Sequence, residues 1–409
     1  MSNINANRLF TASCFALITT AFAFAIRAGI LNELSKEFGL TNTQLGYINQ
    51  MAIWGFPVAT MVGGYLYNLF GAKKMIWLAL AAHLLGILLT IGANGFELLL
   101  LSNFFIGFGN GTVEAACNPM VANMYKNNQT TMLNRFHVWF PGGIFLGALI
   151  SQFMTGADMG WQAQIGVMLI PTAIYAYLFW GQKFPEAEAA GQASFSENLK
   201  GMLNPMYIFM LFCMILTANT ELNTQQWVER LLGSSGAAPM LILAMVTGLM
   251  AVGRYFAGPL VHRINPTGVL WASSIIAFLG IWMMSWATGP MTYVAAITFA
   301  IGVCYFWPTM IGFTAEYIPK SGALGMSIMG GMGMFATGIA QPIVGNWLDK
   351  SRASALAQGL SGEAAELAAG QSTLSHLLVF PALLIGAFGV LWFYMRKKIK
   401  HIRAQKETH

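Results

Sequence analysis

The chain has 409 residues, of which 56% are hydrophobic and only 9% are charged. A soluble globular domain carries about 25% charged residues, so this composition excludes an ordinary soluble protein and predicts a polytopic membrane protein. The net charge of +6 comes from basic residues near predicted helix ends and in the segment 396–400. Such a distribution indicates anchoring at a membrane surface and not a nucleic-acid partner.

Apolar stretches long enough to cross a bilayer recur along the whole chain, since a spanning helix needs about 20 mostly apolar residues. Twelve of them lie at about 9–31, 43–69, 75–93, 97–124, 133–156, 161–181, 205–228, 239–261, 268–288, 291–315, 322–347 and 373–395. The polar segment at 183–204 separates the sixth from the seventh. The pattern predicts an all-α membrane protein with twelve transmembrane helices in two six-helix bundles (6+6) around a central cavity.

The predicted domains follow from that division. They are an N-terminal six-helix bundle at 1–182, a cytoplasmic linker at 183–204, a C-terminal six-helix bundle at 205–395 and a basic cytoplasmic tail at 396–409. Lys and Arg concentrate in the loops on the side of the termini, which predicts that both termini are cytoplasmic and that 349–372 lies outside. The expected location is the plasma (bacterial inner) membrane.

Polar residues recur on one face of the fourth span. Asn103, Gly107, Gly111, Glu114 and Asn118 are separated by three or four residues, so a helix places them on one stripe. Such a stripe of small and polar residues favours a water-filled cavity or a close-packed neighbour over lipid. Within it, Glu114 is a predicted proton-coupling group and Asn118 a predicted substrate ligand.

Two cationic positions accompany this stripe in the first six spans. Arg27 near the outer part of span 1 is a predicted anchor for a negative or hydroxyl-rich solute, or the partner of Glu114, or an arginine that reaches to the membrane interface. Glu114 itself is open to a structural pairing with Arg27 or to a neutral, hydrogen-bonded form. His137 is predicted to hold a proton or bind substrate; the alternative is a hydrogen-bonded histidine near a helix end.

The second six spans carry the remaining candidates. In span 7, Glu221 and Gln225 lie on one face, where a carboxylate beside amides suits recognition of several hydroxyls. Glu221 is also the second candidate for proton coupling, and the alternative is a polar face near a helix end. In span 10, the candidates are Tyr305, Trp307 and Thr309, since aromatic rings stack on sugar rings and the indole N–H can donate; ordinary packing is the alternative for Trp307.

The four cysteines all lie inside apolar segments and are predicted to be small core residues without disulfide or metal roles. The glycine-rich stretch of span 11 follows no strand, and the chain contains no phosphate-binding loop motif. No catalytic constellation, metal site or cofactor is predicted, so we expect a protein that is not an enzyme.

Spans 2, 8 and 11 end in a related motif, with a Gly four residues before a polar end residue at Gly64–Asn68, Gly258–His262 and Gly345–Asp349. The glycine permits close helix approach, and the end residue can cap or pair at the interface. Together with the twelve spans and the central linker, this motif resembles the major facilitator superfamily over essentially the whole chain. The segment 109–119 further resembles helix 4 of the fucose–galactose–glucose proton symporters.

The resemblance implies a secondary active transporter that works by alternating access, with spans 1, 4, 7 and 10 lining the cavity. We expect uptake of a small polar solute, with a monosaccharide as first choice, coupled to protons through Glu114 or Glu221. The alternative is an organic-anion transporter that uses Arg27 and His137; a non-transport receptor ranks below both. Expected partners are the solute, protons and the lipid bilayer, with no nucleic acid, and the expected state is a monomer.

Overall fold

The structure is a computed structural model that describes residues 4–125, 129–185, 195–255 and 257–407. Within those ranges the chain is helical, with eighteen α-helices and one short 3-10 helix and without a β-strand. Residues 186–194 of the predicted linker fall outside the described ranges, as do Lys126 and the side chains of the basic tail from 397 onward.

The first eight helices are referred to below as the first half. They are α1 Ala6–Gly29, α2 Leu31–Phe38, α3 Asn42–Ile91, α4 Phe96–Met124, α5 Gln129–His137, α6 Trp139–Gly156, α7 Trp161–Val167 and α8 Leu169–Phe179.

A short helix, α9, follows the linker at Phe195–Met202, and the helices α10 to α18 are referred to as the second half. They are α10 Pro205–Gln226, α11 Val228–Leu232, α12 Pro239–Tyr255, α13 Ala257–Met284, α14 Pro290–Val303, α15 Phe306–Tyr317, α16 Gly322–Ala357, α17 Gly362–Leu377 and α18 Val379–Glu407, with the 3-10 helix at Pro319–Ser321.

Helices of membrane-spanning length dominate the described residues. Ten helical segments are long and apolar enough to cross a bilayer, and Pro239–Tyr255 is a shorter apolar helix at the place of the predicted eighth span. The predicted second span, about 43–69, forms the first part of α3, which continues into the third span across a kink at Gly71 with φ 71°. The all-α membrane class is therefore confirmed, while twelve helices in a 6+6 arrangement stay a prediction.

Large apolar side chains on the outer surfaces fit a lipid environment. Phe153, Ile170 and Val390 are 72%, 60% and 67% exposed, although each lies in an apolar helix. In water such exposure would be costly at about 25 cal/mol per Å² of apolar surface, whereas lipid tails are as apolar as these side chains. The chain is thus an integral membrane protein with its polar residues turned inward.

Prolines divide four of the predicted spans into two helices each. The helical hydrogen-bond pattern is interrupted at Val138, Met168, Tyr305 and Leu378. Each interruption lies three residues before a proline, at positions 141, 171, 308 and 381. Proline has no N–H and its ring clashes with the carbonyl four residues earlier, so the backbone must bend there. A bend inside a membrane is tolerated only where the freed carbonyl finds another donor.

Glycines bring α3 and α4 into backbone contact. A Cβ at Gly107 would collide with the carbonyl oxygen of Ala52, and one at Gly111 would collide with that of Phe56. The small stripe of the fourth span is thus covered at these two positions by a close-packed neighbour, which is one of the two environments that the sequence predicts. This packing fixes the helix that carries Glu114.

The two halves are joined at the end of the molecule where α2, α3, α11 and α16 meet, which we name the closed end. Its residues are Asn32, Asn42, Thr43, Glu229, Arg230 and Asp349. Because the first N–H groups of an α-helix have no partner within it, the start of α3 needs an acceptor. The carboxylate of Asp349 supplies it to Asn42 and Thr43. The polar residue that ends the Gly345 motif therefore acts as a cap between the halves.

Candidate functional site

A buried arginine lies between the two halves. Arg27, near the end of α1, is 3% exposed. Its Nε donates to Oδ1 of Asn49 at 3.1 Å and its Nη2 donates to Oε1 of Gln226 at 2.5 Å. The guanidinium also lies 5.2 Å from the ring centroid of Phe24, within cation–π range. Arg27 thus bridges α1, α3 and α10 through neutral partners, and it does not pair with Glu114.

A second set of buried amides lies on α10, the helix of Gln226, and on α16. Gln341 of α16 donates from Nε2 to Oδ1 of Asn223 at 2.7 Å, and Asn223 donates to Oδ1 of Asn219 at 3.0 Å. All are at most 2% exposed. We refer to the whole set as the amide layer, which comprises Arg27, Asn49, Asn219, Asn223, Gln226 and Gln341.

Two polar atoms of the amide layer lack hydrogen-bond partners. They are Nδ2 of Asn49 and Oε1 of Gln341, one a donor and the other an acceptor. Leaving a buried polar group unpaired costs about 1–3 kcal/mol. A hydroxyl group can both donate and accept, so it could satisfy either atom. The amide layer is therefore suited to a small, neutral, hydroxyl-rich molecule.

Aromatic rings lie on the same two helices as Asn49 and Gln341. Trp54 of α3 and Phe335 of α16 stack with centroids 5.1 Å apart and an interplanar angle of 8°. The indole N–H of Trp54 donates to the carbonyl oxygen of Phe335 at 3.0 Å. Each ring is five or six residues along its helix from the amide layer, a distance of roughly 8–9 Å at 1.5 Å per residue. Aromatic surface beside hydrogen-bonding groups is typical of small-molecule sites.

The predicted proton-coupling residue Glu114 belongs to a separate cluster within the first half. Oδ1 of Asn118 lies 3.0 Å from Nε2 of His137, and Asn118 also hydrogen-bonds Glu114, four residues before it. His137 is exposed, at the last residue of α5. The structure thus brings three of the predicted site residues together and connects a carboxyl group through an amide to an exposed imidazole. A carboxyl group and an imidazole joined by hydrogen bonds are groups that can exchange a proton.

The two predicted site residues of span 7, Glu221 and Gln225, face different neighbours. Glu221 is 6% exposed and faces Arg254 of α12, whose Nη2 lies 3.5 Å from its Oε1. Gln225 turns to Sδ of Met250 at 3.5 Å. Its neighbour Gln226 takes the place in the amide layer. Among the described residues, the side chain of Gln225 has no hydrogen bond to the amide layer. Its predicted role in substrate binding stays a prediction.

The span 10 residues lie at the proline break between α14 and α15. Tyr305 occupies the interruption itself, and its hydroxyl lies beside Gly253 of α12. Trp307 packs its ring on the glycine surface of α16 at Gly330 and Gly333. Thr309 is 8% exposed, and its N–H donates to the carbonyl of Tyr305. Trp307 therefore has the packing contacts that the sequence left as its alternative.

Electrostatics at the closed end differ from those of an exposed surface. Burial raises the pKa of Glu229 to about 8, although the backbone N–H of Asn32 and the charge of Arg230 act in the opposite direction. Burial likewise lowers the pKa of Arg230, whose charge is offset by nearby Glu366, Glu229 and Asp349. The closed end thus holds a carboxyl group that burial biases toward its protonated form.

Sequence reasoning missed several residues of the site. Asn49 and Gln341 lie in largely apolar spans, and Asn223 lies in the polar run at 217–226. Their signal in the sequence is a polar side chain inside a predicted span, where lipid contact would be costly. Arg254 gave the stronger signal, a charge within span 8, but the sequence does not indicate its partners. Which amide faces which neighbour depends on helix rotation, and that is fixed only by packing.

The fold and the site together define the class of protein to which the chain belongs. Long apolar helices enclose a buried polar layer at the meeting of two helix groups, and this is the architecture of a membrane transporter. The profile of the Major Facilitator Superfamily matches residues 13–333. The chain belongs to this superfamily.

Curated relatives match less than half of the chain. Protein spinster homolog 1 of Xenopus laevis is 24% identical over 198 residues, which is 45% of this chain and 38% of that protein. Solute carrier family 2, facilitated glucose transporter member 10, also of Xenopus laevis, is 22% identical over 200 residues, 45% of this chain and 36% of that protein. The matches therefore span little more than a third of the length of these relatives.

Solved structures match almost the whole chain at low identity. The nucleoside transporter NupG superposes with a TM-score of 0.71 and 14% identity, covering 94% of this chain and 98% of that one. The D-xylose–proton symporter gives a TM-score of 0.72 and 13% identity, covering 91% and 97%. At such identities the likeness shows the fold of these transporters and no more. The particular resemblance to the fucose–galactose–glucose symporters is not confirmed.

Proposed function

We propose that the protein is a secondary active transporter that takes up a small polar solute, with a monosaccharide as first choice, in symport with protons. The observation that carries the proposal is the amide layer, in which a buried donor of Asn49 and a buried acceptor of Gln341 have no hydrogen-bond partner; a solute hydroxyl could satisfy either atom. Relatives whose names include a glucose transporter and a D-xylose–proton symporter support the sugar class.

In this proposal the N-terminal bundle at 1–182 and the C-terminal bundle at 205–395 rock around the amide layer. We assign the closed end to the outer side of the membrane, because the charge bias of the loops predicts that both termini lie on the opposite, cytoplasmic side. Opening requires the hydrogen bonds of Asp349 and Arg230 to break on one side while the opposite side closes. The transporter works as a monomer in the plasma (bacterial inner) membrane.

Solute binding is assigned to the amide layer together with the residues that the sequence selects. Arg27 orients amide oxygens of Asn49 and Gln226, so it shapes the pocket as well as contacting solute. The other assigned ligands are Asn118, His137, Glu221, Gln225, Tyr305, Trp307 and Thr309. Proton coupling is assigned first to Glu114, whose link to exposed His137 gives it access to water, and second to Glu221.

A second candidate is transport of a small organic anion. It is favoured by one observation, namely that the hydrogen bonds of buried Arg27 go to neutral amides. A buried cation without a bound carboxylate is a natural anion site. In that case Arg27 and His137 would hold the anion.

Uptake into proteoliposomes tests both candidates. The panel is labelled D-glucose, D-xylose, L-fucose, lactate and nitrate, each with and without an imposed pH gradient. The proposal expects accumulation of a sugar when the outside is acidic, and Arg27→Gln should weaken sugar affinity severalfold without abolishing uptake. Uptake of an anion that Arg27→Gln abolishes would replace the first candidate by the second. Accumulation of none of these would contradict both.

A further inference from the structure

The proline break in span 10 leaves one carbonyl without its helical partner. Pro308 has no N–H, so the carbonyl of Cys304, four residues earlier, cannot accept the usual hydrogen bond. The ladder continues on both sides, since the N–H of Cys304 donates to Ala300 and that of Thr309 donates to Tyr305. A freed carbonyl in a membrane requires another donor.

Arg254 supplies that donor from a neighbouring helix. Its Nε donates to the carbonyl oxygen of Cys304 at 3.0 Å, while its Nη2 lies 3.5 Å from Oε1 of Glu221. One planar guanidinium therefore spans three helices, since Glu221 is on α10, Arg254 on α12 and Cys304 at the end of α14. The planar guanidinium carries donors on separate nitrogen atoms in a fixed geometry, so Nε and Nη2 can face two different acceptors at once.

The remainder of α12 holds Arg254 against the break. Sγ of Cys304 lies 3.5 Å from the carbonyl oxygen of Met250, one turn before Arg254. A Cβ at Gly253 would lie 2.6 Å from Sγ of Cys304 and 3.4 Å from the hydroxyl of Tyr305. The close approach of the α12 backbone leaves the arginine stem little freedom, so a change at its tip is transmitted to the break.

At the other end of this bridge, one carboxylate oxygen of Glu221 is able to accept a further hydrogen bond or a proton. Its Oε2 is buried and has no hydrogen-bond partner in the described part of the chain, whereas Oε1 faces Arg254. The titratable groups that face Glu221 are Arg254 on α12 and Cys304 at the break. A proton or a solute hydroxyl on Oε2 would reduce the attraction between the carboxyl group and the guanidinium.

We propose that Arg254 is a positioning residue that links the occupancy of Glu221 to the bend of the chain at Tyr305. An ionised, empty Glu221 holds the guanidinium between two acceptors. When Oε2 binds a proton or a hydroxyl, the guanidinium moves toward the Cys304 carbonyl. The hydrogen bond to that carbonyl becomes stronger, and the bend of the chain at Tyr305 changes with it. The linkage rests on the proposed function in that it takes Glu221 as a solute or proton site.

A double-mutant cycle between Arg254 and Pro308 tests the contact at the break. In Pro308→Ala, the new N–H can bond the Cys304 carbonyl, so the carbonyl no longer depends on Arg254. We expect Arg254→Gln to lower the melting temperature of the purified protein, and to lower it by less than half as much in the Pro308→Ala background. Arg135→Gln, which removes an exposed arginine, is the matched control. Equal losses in both backgrounds would overturn the linkage.

Hydrogen exchange tests the connection to Glu221 without any transport assay. Exchange of the amides at 304–310 is followed by mass spectrometry in wild type, Glu221→Gln, Arg254→Gln and the double variant. We expect Glu221→Gln to change exchange at least threefold when Arg254 is present and to have no effect in Arg254→Gln. The same response in both backgrounds would overturn the proposal. Because neither readout needs a solute, a failed sugar assay would contradict the proposed function and leave this linkage standing.

Discussion

The carboxylate of Asp349 accepts two hydrogen bonds from Thr43 across the closed end. Oδ2 accepts from the backbone N–H of Thr43 at 2.9 Å and from its hydroxyl at 2.7 Å. The negative charge also lies at the N-terminus of α3, where the helix dipole favours it. This pair joins the end of span 11 to the beginning of span 2, so it holds the two halves together at one end only.

Asp349→Asn should therefore open the closed end. The amide of asparagine accepts hydrogen bonds through one oxygen only, and its NH₂ group would face N–H donors of α3. Leaving a buried donor without its acceptor costs about 1–3 kcal/mol. That range corresponds to a roughly 5- to 150-fold smaller closed population at about 1.4 kcal/mol per factor of ten. Distances between spin labels on cysteines at Lys36 and Leu360, both exposed, report the opening.

The control for that experiment is Glu363→Gln, which neutralises an exposed carboxylate in the first turn of α17. It should leave the distance distribution as in wild type. A distribution in Asp349→Asn that matches wild type would show that this cap does not set the balance between the two conformations.

Acidity should favour the closed end through Glu229. Its pKa is raised to about 8 by burial when the halves are together, and an exposed glutamate titrates near its ordinary value of 4.5. A group whose pKa is raised in one state stabilises that state at low pH, and the contribution is lost as pH rises through about 8. The neighbouring Glu33, whose pKa burial also raises, acts in the same direction.

The same spin-label distances, measured from pH 5 to pH 9, check this pH dependence. Wild type should lose closed population as the pH rises, while Glu229→Gln should show a flatter profile, since the amide cannot ionise. An equally steep profile in Glu229→Gln would assign the dependence to another group.

The sequence predicts much of the fold because hydropathy acts locally. Ten of the twelve predicted spans correspond to helical segments of membrane-spanning length. Proline positions alone do not mark the bends, since Pro57, Pro119 and Pro342 lie inside continuous helices. The partners of the polar residues could not be predicted in this way. Arg27 donates hydrogen bonds to Asn49 and Gln226, which are 22 and 199 residues distant in the sequence. These partners are determined by the packing of α1, α3 and α10. For the same reason Gln226 and not Gln225 enters the amide layer.

The orientation of the chain remains a prediction that labelling can test. The charge bias of the loops predicts that position 190 is cytoplasmic and position 360 is outside. Because the four native cysteines are buried, an impermeant thiol reagent should report only cysteines introduced at these two positions. We expect labelling from opposite sides of the membrane. Labelling of both from one side would contradict the twelve-span topology.

Glu114→Gln tests the central claim of proton-coupled transport most directly. The amide mimics the protonated acid, so solute exchange between equal pools should persist, since exchange requires only the loaded carrier to rock. Accumulation driven by a pH gradient should be lost, since the empty return step requires release of the proton. Glu221→Gln is the comparison and should weaken solute affinity more than coupling.

The decisive measurement compares two fluxes of the same labelled sugar in one proteoliposome preparation. Entrance counterflow and accumulation under an acid-outside gradient are recorded for wild type and Glu114→Gln. We expect counterflow near the wild-type rate and accumulation no greater than in empty liposomes. A Glu114→Gln protein that still concentrates the sugar against its gradient under the pH difference would contradict it.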